Sequence, residues 1–221
     1  MNALKWEDQV VDRAEENQLS PGELAAAWAE EAATWNEDPA VVAHADAAWA
    51  SLLASVHVGS DARVLDFGCG TGLLTERISS RVREVVAVEA SPAMVEVLAA
   101  KALPNVRFGV AKWTPETISD DELAAGPFDL IVCSSVCAFL DDYPSNIAML
   151  ADRLAPNGYF AQWDWELDPT AAEPFGLTSN GITEALVGAG LVVVSVGVGF
   201  DVTIEDQHMR PLLGNARRVR E

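Results

Sequence analysis

Val64-Leu65-Asp66-Phe67-Gly68-Cys69-Gly70-Thr71-Gly72 decides how the rest of this 221-residue chain is read. Val64 and Leu65 read as the end of a buried strand. Glycines at alternate positions then let the backbone turn sharply and approach a ligand more closely than any Cβ would allow. Leu73 to Ser80 reads as a helix opening over that turn, and Val85-Val86-Ala87-Val88 forms a second apolar run closed by Glu89. A strand, a glycine turn, a helix and a second strand ending in an acid make the mononucleotide half of a doubly wound fold. A carboxylate at Glu89 can accept hydrogen bonds from both ribose hydroxyls, so the pattern predicts a nucleoside-bearing cofactor.

The glycine spacing separates two cofactor types. A nicotinamide or flavin fingerprint runs Gly-x-Gly-x-x-Gly with no acid before it, whereas here Asp66 precedes Gly-x-Gly-x-Gly and position 73 is Leu. A free pyrophosphate gains little from Asp66, because like charges repel. A cofactor ending in an ammonium gains from it. The spacing therefore disfavours a nicotinamide-dependent oxidoreductase.

The segments VLDFGCGTG (64–72), VVAVEASPAMVEVLAAKA (85–102) and FDLIVCSSVCAFLDD (128–142) together resemble the class I S-adenosylmethionine-dependent methyltransferases, in the broad group acting on small molecules. The resemblance covers roughly residues 35 to 219 and is specific for the cofactor rather than the acceptor. It implies a methyltransferase with S-adenosyl-L-methionine as cofactor. By the same resemblance, Asp66 and the backbone from Gly68 through Cys69 and Gly70 to Gly72 hold the methionine part. Glu89 binds the ribose, Ala111, Lys112 and Trp113 wall the adenine, and Ala90 and Ser134 complete the cofactor set. One position departs from the family pattern: Lys112 stands where an Asp commonly meets the adenine amino group, and Lys cannot accept that hydrogen bond. Either backbone groups of Ala111 and Trp113 recognise adenine, with stacking, or Lys112 points outward.

Strands are expected at 62–66, 85–89, 105–110, 128–134, 158–164 and 191–199, with a final strand around 212–219. Helices are expected at about 72–80, 91–102, 118–124, 145–154 and 179–189. Regular alternation predicts an α/β fold: a doubly wound, Rossmann-like sheet of about seven strands covered by helices, with ligands at the carboxyl ends of the strands. The resemblance makes the last strand antiparallel. Before this core, Ser20-Pro21-Gly22-Glu23 starts a helix through about Thr34, and Pro39 opens another to about Val56. The chain thus divides into a helical cap over the cofactor site (1–57) and an S-adenosylmethionine-binding methyltransferase domain (58–221).

The ends of the fourth and fifth strands should line the acceptor pocket. They bring forward Ser134, Ser135, Cys137, Phe139, Asp141, Asp142 and Tyr143, then Trp163, Asp164, Trp165 and Glu166. Alternation puts Trp163 and Trp165 on one face and Asp164 and Glu166 on the other. Aromatic walls and negative charge can both hold an amine, which makes an amine acceptor the sharpest hypothesis. Trp35 either closes the site, as a Trp there often does in the family, or packs the cap on the core. His44 is the histidine most easily placed at the mouth, with His57 in a linker and His208 in a polar turn. Methyl transfer from a sulfonium is an in-line displacement that needs positioning above all, so the absence of an obvious catalytic pair does not argue against an enzyme. The alternative function is a catalytically silent S-adenosylmethionine-binding protein with a regulatory or assembly role, which fold alone does not exclude.

Composition narrows the partners. A net charge of -20, from 34 acids against 14 bases, makes nucleic acid a poor partner and suits a high-salt setting. No long uncharged apolar stretch and no signal-peptide pattern occur, so a soluble, cytoplasmic protein away from membranes is expected, acting on a small molecule. Cys69, Cys133 and Cys137 lack further ligands at metal spacing and read as buried free thiols, with no metal site.

Overall fold

The computed structural model describes residues 31–170, 174–204 and 207–219. The first thirty residues of the expected cap, with nearly all of the expected helix over 20–34, lie outside the described residues. The strands are β1 (Arg63–Phe67), β2 (Glu84–Glu89), β3 (Val106–Val110), β4 (Phe128–Ser134), β5 (Leu154–Asp164), β6 (Val192–Val198), β7 (Val202–Ile204), β8 (Gln207–Met209) and β9 (Leu212–Arg217). Seven of them form one sheet in the order β3-β2-β1-β4-β5-β9-β6, and β7 and β8 make a separate hairpin. Pairs from β3 through β5 are parallel, while β9 runs antiparallel to both β5 and β6, slotted between them. This is the expected Rossmann-like architecture with its antiparallel last strand.

Period-two alternation along each strand feeds two cores. On one face Val64, Leu130, Val132, Ala161 and Trp163 pack with Ala48 and Leu52 of α1 (Pro39–Ser55) and Leu74 and Ile78 of α2 (Leu73–Ser79). On the other, Leu65, Phe67, Ile131, Cys133 and Phe160 meet the remaining layer of helices. A third helix, α3 (Pro92–Ala100), packs Leu98 against Cys69 and Ala87. The layer on the second face is α4 (Tyr143–Ala151), through Ile147 and Leu150, and α5 (Ser179–Gly188), through Ile182 and Leu186.

Most helix starts follow local chemistry. Asp38 accepts from the Ala40 amide at 2.7 Å ahead of α1, and Asp142 from the Ser145 amide at 3.2 Å ahead of α4. Thr178 does the same for Gly181 at 3.0 Å ahead of α5. The expected helix over 118–124 is instead two 3₁₀ turns, Ile118–Asp120 and Glu122–Ala124. Asp121 separates them: its carboxylate accepts from the Leu123 amide and the Trp113 indole, each at 2.8 Å, and so competes with a continuous helix. His208 sits in β8, opposite Thr203, rather than in a turn. Among the described residues no helix is long and apolar enough to cross a membrane.

Candidate functional site

The carboxyl ends of β1, β2, β4 and β5 open into a cavity of about 1100 Å³. That exceeds the ~300–1,000 Å³ common for a single small ligand, so two molecules can share it. Its floor is the glycine turn. Gly68, Gly70 and Gly72 have φ of +71°, +52° and +77°, the left-handed region that side chains avoid. A Cβ on Gly68 would stand 2.4 Å from Val136, and one on Gly72 2.4 Å from Leu98, so packing forbids both. At Gly70 a Cβ would meet nothing within 4 Å: the space there belongs to the cavity. Gly72 is off the cavity wall and serves the start of α2.

Glu89 closes over the turn. Its Oε2 accepts from the Gly70 amide at 3.1 Å and its Oε1 from the Ser91 amide at 2.9 Å, which fixes the carboxylate while each oxygen keeps a lone pair for a ribose hydroxyl. Asp66 is buried beneath, with the Thr75 hydroxyl donating to its Oδ2 at 2.6 Å. Burial lifts its carboxyl to about 7, the Thr75 bond opposes that rise, and the Glu89 charge adds to it. Burial also raises the Cys69 thiol well above its ordinary value. Above the turn, the Thr71 hydroxyl donates to Asn36 Oδ1 at 2.6 Å, which ties the 3₁₀ turn Trp35–Glu37 across the cavity.

Ala90, Ala111, Lys112, Trp113 and Ser134 line the cavity beside Cys69. The Ala111 amide donates to the Glu89 carbonyl at 2.9 Å, which keeps β3 in register as it leaves the sheet. Trp113 is buried and stacks on Phe67 with ring centroids 6.2 Å apart. Lys112 reaches outward to Asp141 at 3.7 Å, an exposed pair at the rim.

Toward the cap, the wall is Trp35, Val41, His44, Ser134, Ser135, Phe139 and Trp165. Five expected acceptor residues are absent from the cavity lining: Cys137, which is buried, and Tyr143, Trp163, Asp164 and Glu166. Trp163 is wholly buried under α1, its indole donating to Ser51 Oγ at 3.1 Å. Asp164 is equally buried and accepts from the amides of Cys137 (3.1 Å) and Ala138 (3.2 Å), so it pins the loop after β4 instead of facing a ligand. Burial raises its carboxyl to about 7, against those amide bonds. The Tyr143 hydroxyl donates to Gln162 Oε1 at 2.8 Å, and burial raises its pKa. Glu166 is exposed and pairs with Arg210 at 3.4 Å.

His44 is buried on the inner face of α1 with Ala40, Val41 and Ala48. Its Nε2 lies 3.1 Å from Ser134 Oγ and 3.4 Å from Ser135 Oγ, and its ring packs on Trp165 and Phe200 with centroids 5.6 and 5.1 Å away. Desolvation lowers its pKa to about 4, so the imidazole is neutral at physiological pH. The Asn36–Thr71 tie spans 35 residues and Ser134 to His44 spans 90. Sequence reasoning had no local signal for the first of these; it did bring Ser135 to the pocket, but not its φ of +55°, a strained, non-glycine value. The cysteines are free and buried, and among the described residues no three His, Cys, Asp or Glu side chains gather as a metal site.

A model of the family described as Methyltransferase domain matches residues 22–179. The chain belongs to the class I S-adenosylmethionine-dependent methyltransferases. The cofactor of this methyltransferase is S-adenosylmethionine. It is 33% identical over 102 residues to the trans-aconitate 2-methyltransferase of Deinococcus radiodurans, a match covering 45% of this chain and 36% of that protein. It is 32% identical over 98 residues to the ubiquinone biosynthesis O-methyltransferase of Xanthomonas axonopodis pv. citri, covering 44% and 40%. The matched segment is thus less than half the length of these curated relatives.

Solved structures share the methyltransferase's fold at lower identity. The Burkholderia thailandensis 1,6-didemethyltoxoflavin-N1-methyltransferase superposes with a TM-score of 0.65 at 23% identity over 91% of each chain. A chain of the complex between the Haloferax volcanii Trm112 methyltransferase activator and a methyltransferase gives 0.69 at 17% identity, covering 87% of this chain and 98% of that one.

Proposed function

We propose that this chain moves the methyl group of S-adenosylmethionine to a small-molecule acceptor. The observation that carries the reading is the continuity of one cavity: it runs from the open space at Gly70, between Asp66 and Glu89, to the aromatic wall of Trp35, Phe139 and Trp165. S-adenosylmethionine supplies a methyl group on a positively charged sulfur, ready for displacement.

Asp66 with Gly68, Cys69 and Gly70 takes the methionine end, Glu89 and Ala90 the ribose, and Ala111, Lys112 and Trp113 the adenine side, with Ser134 next to the turn. Gly72 contributes by shaping the turn from behind. Adenine then depends on backbone groups and packing, since Lys112 is engaged with Asp141 at the rim. Residues 31–57, with Trp35 tied down through Asn36, act as a cap that holds the acceptor and excludes water.

The acceptor is read as small because the cavity has room for one modest molecule beyond the cofactor. The case for an amine loses weight here: Asp164 and Glu166, two of the acids that suggested it, lie off the cavity wall. The test is incubation with S-adenosylmethionine and a panel of acceptors, reading S-adenosylhomocysteine release. Acceptor-dependent release supports an enzyme; cofactor binding with no release on any acceptor supports a silent binding protein.

A further inference from the structure

We propose that His44 is the general base of this site and that its acceptor is a planar, uncharged compound methylated on a hydroxyl group. The inference rests on the methyl transfer proposed above and deepens it by naming the acceptor class.

Position comes first. β1 and β4 pair with Phe67 opposite Cys133, so Ser134 emerges beside Gly68 at the methionine end of the cavity. His44 Nε2 is 3.1 Å from the Ser134 hydroxyl. A strained residue reinforces the contact: Ser135, at φ +55°, is held by its amide N–H, which donates to the Trp163 carbonyl at 2.8 Å, and brings a second hydroxyl within 3.4 Å of the same nitrogen. A ring nitrogen that already meets two hydroxyls on the cavity wall is suited to receive a third from the acceptor.

Nδ1 is buried and has no hydrogen-bond partner, its ring packed against Trp165 and Phe200. An N–H beside aromatic rings is better accommodated than a bare lone pair there, which leaves the lone pair on Nε2, facing the serines.

The wall then selects the acceptor. Trp35, Phe139 and Trp165 favour a flat ring. Among the described residues, the cavity's cationic side chains are Lys112 and Arg153, which follow β3 and α4 on the adenine side, so none stands by His44 to pair a carboxylate. The weak basicity of His44 points the same way. As a hydroxyl oxygen bonds to carbon its proton becomes far more acidic than an imidazolium, so even a weak base takes it. The ammonium formed from an aliphatic amine holds its proton more tightly than His44 can.

The step balances. The acceptor oxygen gives an electron pair to the methyl carbon, the carbon–sulfur bond breaks with its pair going to sulfur, and the hydroxyl proton passes to His44 Nε2. The buried imidazolium afterwards returns that proton to water, restoring the neutral ring.

The test uses 2-naphthol, 2-(aminomethyl)naphthalene and 2-naphthoate, one ring carrying three nucleophiles. We expect 2-naphthol to be methylated in preference to the other two. His44→Gln keeps a side chain able to bond Ser134, yet should lower turnover by about 10²-fold or more while cofactor affinity stays within about threefold of the parent. Added imidazole should restore turnover to His44→Ala. Independently of activity, the His44 Nε2 nitrogen resonance should shift when 2-naphthol joins the S-adenosylhomocysteine complex; His57 and His208, the other two histidines, serve as internal references. Methylation of the amine or carboxylate in preference to the naphthol, undiminished turnover in His44→Gln, or an unmoved resonance together with no naphthol methylation overturns the inference. Failure to bind S-adenosylmethionine would instead overturn the methyl-transfer reading beneath it.

Discussion

At the scale of single residues, the three glycines of the turn look alike in sequence and differ in the structure. Gly70→Asn tests the difference, because Asn tolerates a left-handed φ better than most residues and nothing of the protein stands within 4 Å of the added Cβ. The variant should fold with a melting temperature close to the parent's and lose cofactor binding by tenfold or more. Normal binding would remove the ligand from that space. Asp66 gives a pH signature. Its carboxyl, raised by burial to about 7, must ionise to favour an ammonium, so cofactor affinity should climb as pH rises from about 5.5 to 8. Binding near pH 7 should release a proton, seen as a buffer-dependent heat, and Asp66→Asn should weaken binding and flatten the pH dependence.

The same two buried carboxyls, Asp66 and Asp164, bear on the stability of the ligand-free protein. Both hold their proton more tightly folded than unfolded, so their contribution is full below the unfolded carboxyl range and is lost as pH rises through about 7. Thermal stability should therefore fall from about pH 5 to 8 by a smaller amount in Asp66→Asn than in the parent; an unchanged slope would contradict the assignment.

At the scale of elements, α1 is where cap and core meet. Leu52 is fully buried among Val64, Leu74 and Ile78, so Leu52→Ala should cost about 2–5 kcal/mol in denaturant unfolding. A cost under about 1 kcal/mol would mean that α1 sits loosely on the sheet. The strands and most helices were legible because alternation, Asp-Pro and Ser-Pro starts and glycine turns act over a few residues. Residues 118–124 were misread because apolar spacing looked helical while Asp121 bonds its own neighbourhood. Within the site, the motif residues Asp66 and Glu89 were legible for the same local reason. Trp163 and Asp164 were assigned to the pocket because strand ends in this fold face ligands. Which of the last side chains of β5 does so depends on α1 and on the loop after β4, contacts more than 25 residues away that no local pattern encodes.

At the scale of the whole molecule, the charge of -20 is spread over a chain whose ion pairs lie largely at the surface. Such pairs add little each, while the excess of acids repels throughout. Salt shortens the reach of that repulsion from about 10 Å at 0.1 M to about 3 Å at 1 M. The melting temperature should therefore rise between low and molar salt, and a flat or falling profile would argue against an adaptation to high salt.

The central claim, one cavity built around S-adenosylmethionine, is tested most directly by calorimetric titration with S-adenosylmethionine, S-adenosylhomocysteine and NAD at low and high salt. Micromolar binding of both sulfur compounds, on the order of −8 kcal/mol, with no heat from NAD is the predicted result. Binding of NAD, or of neither sulfur compound in either salt, would contradict it.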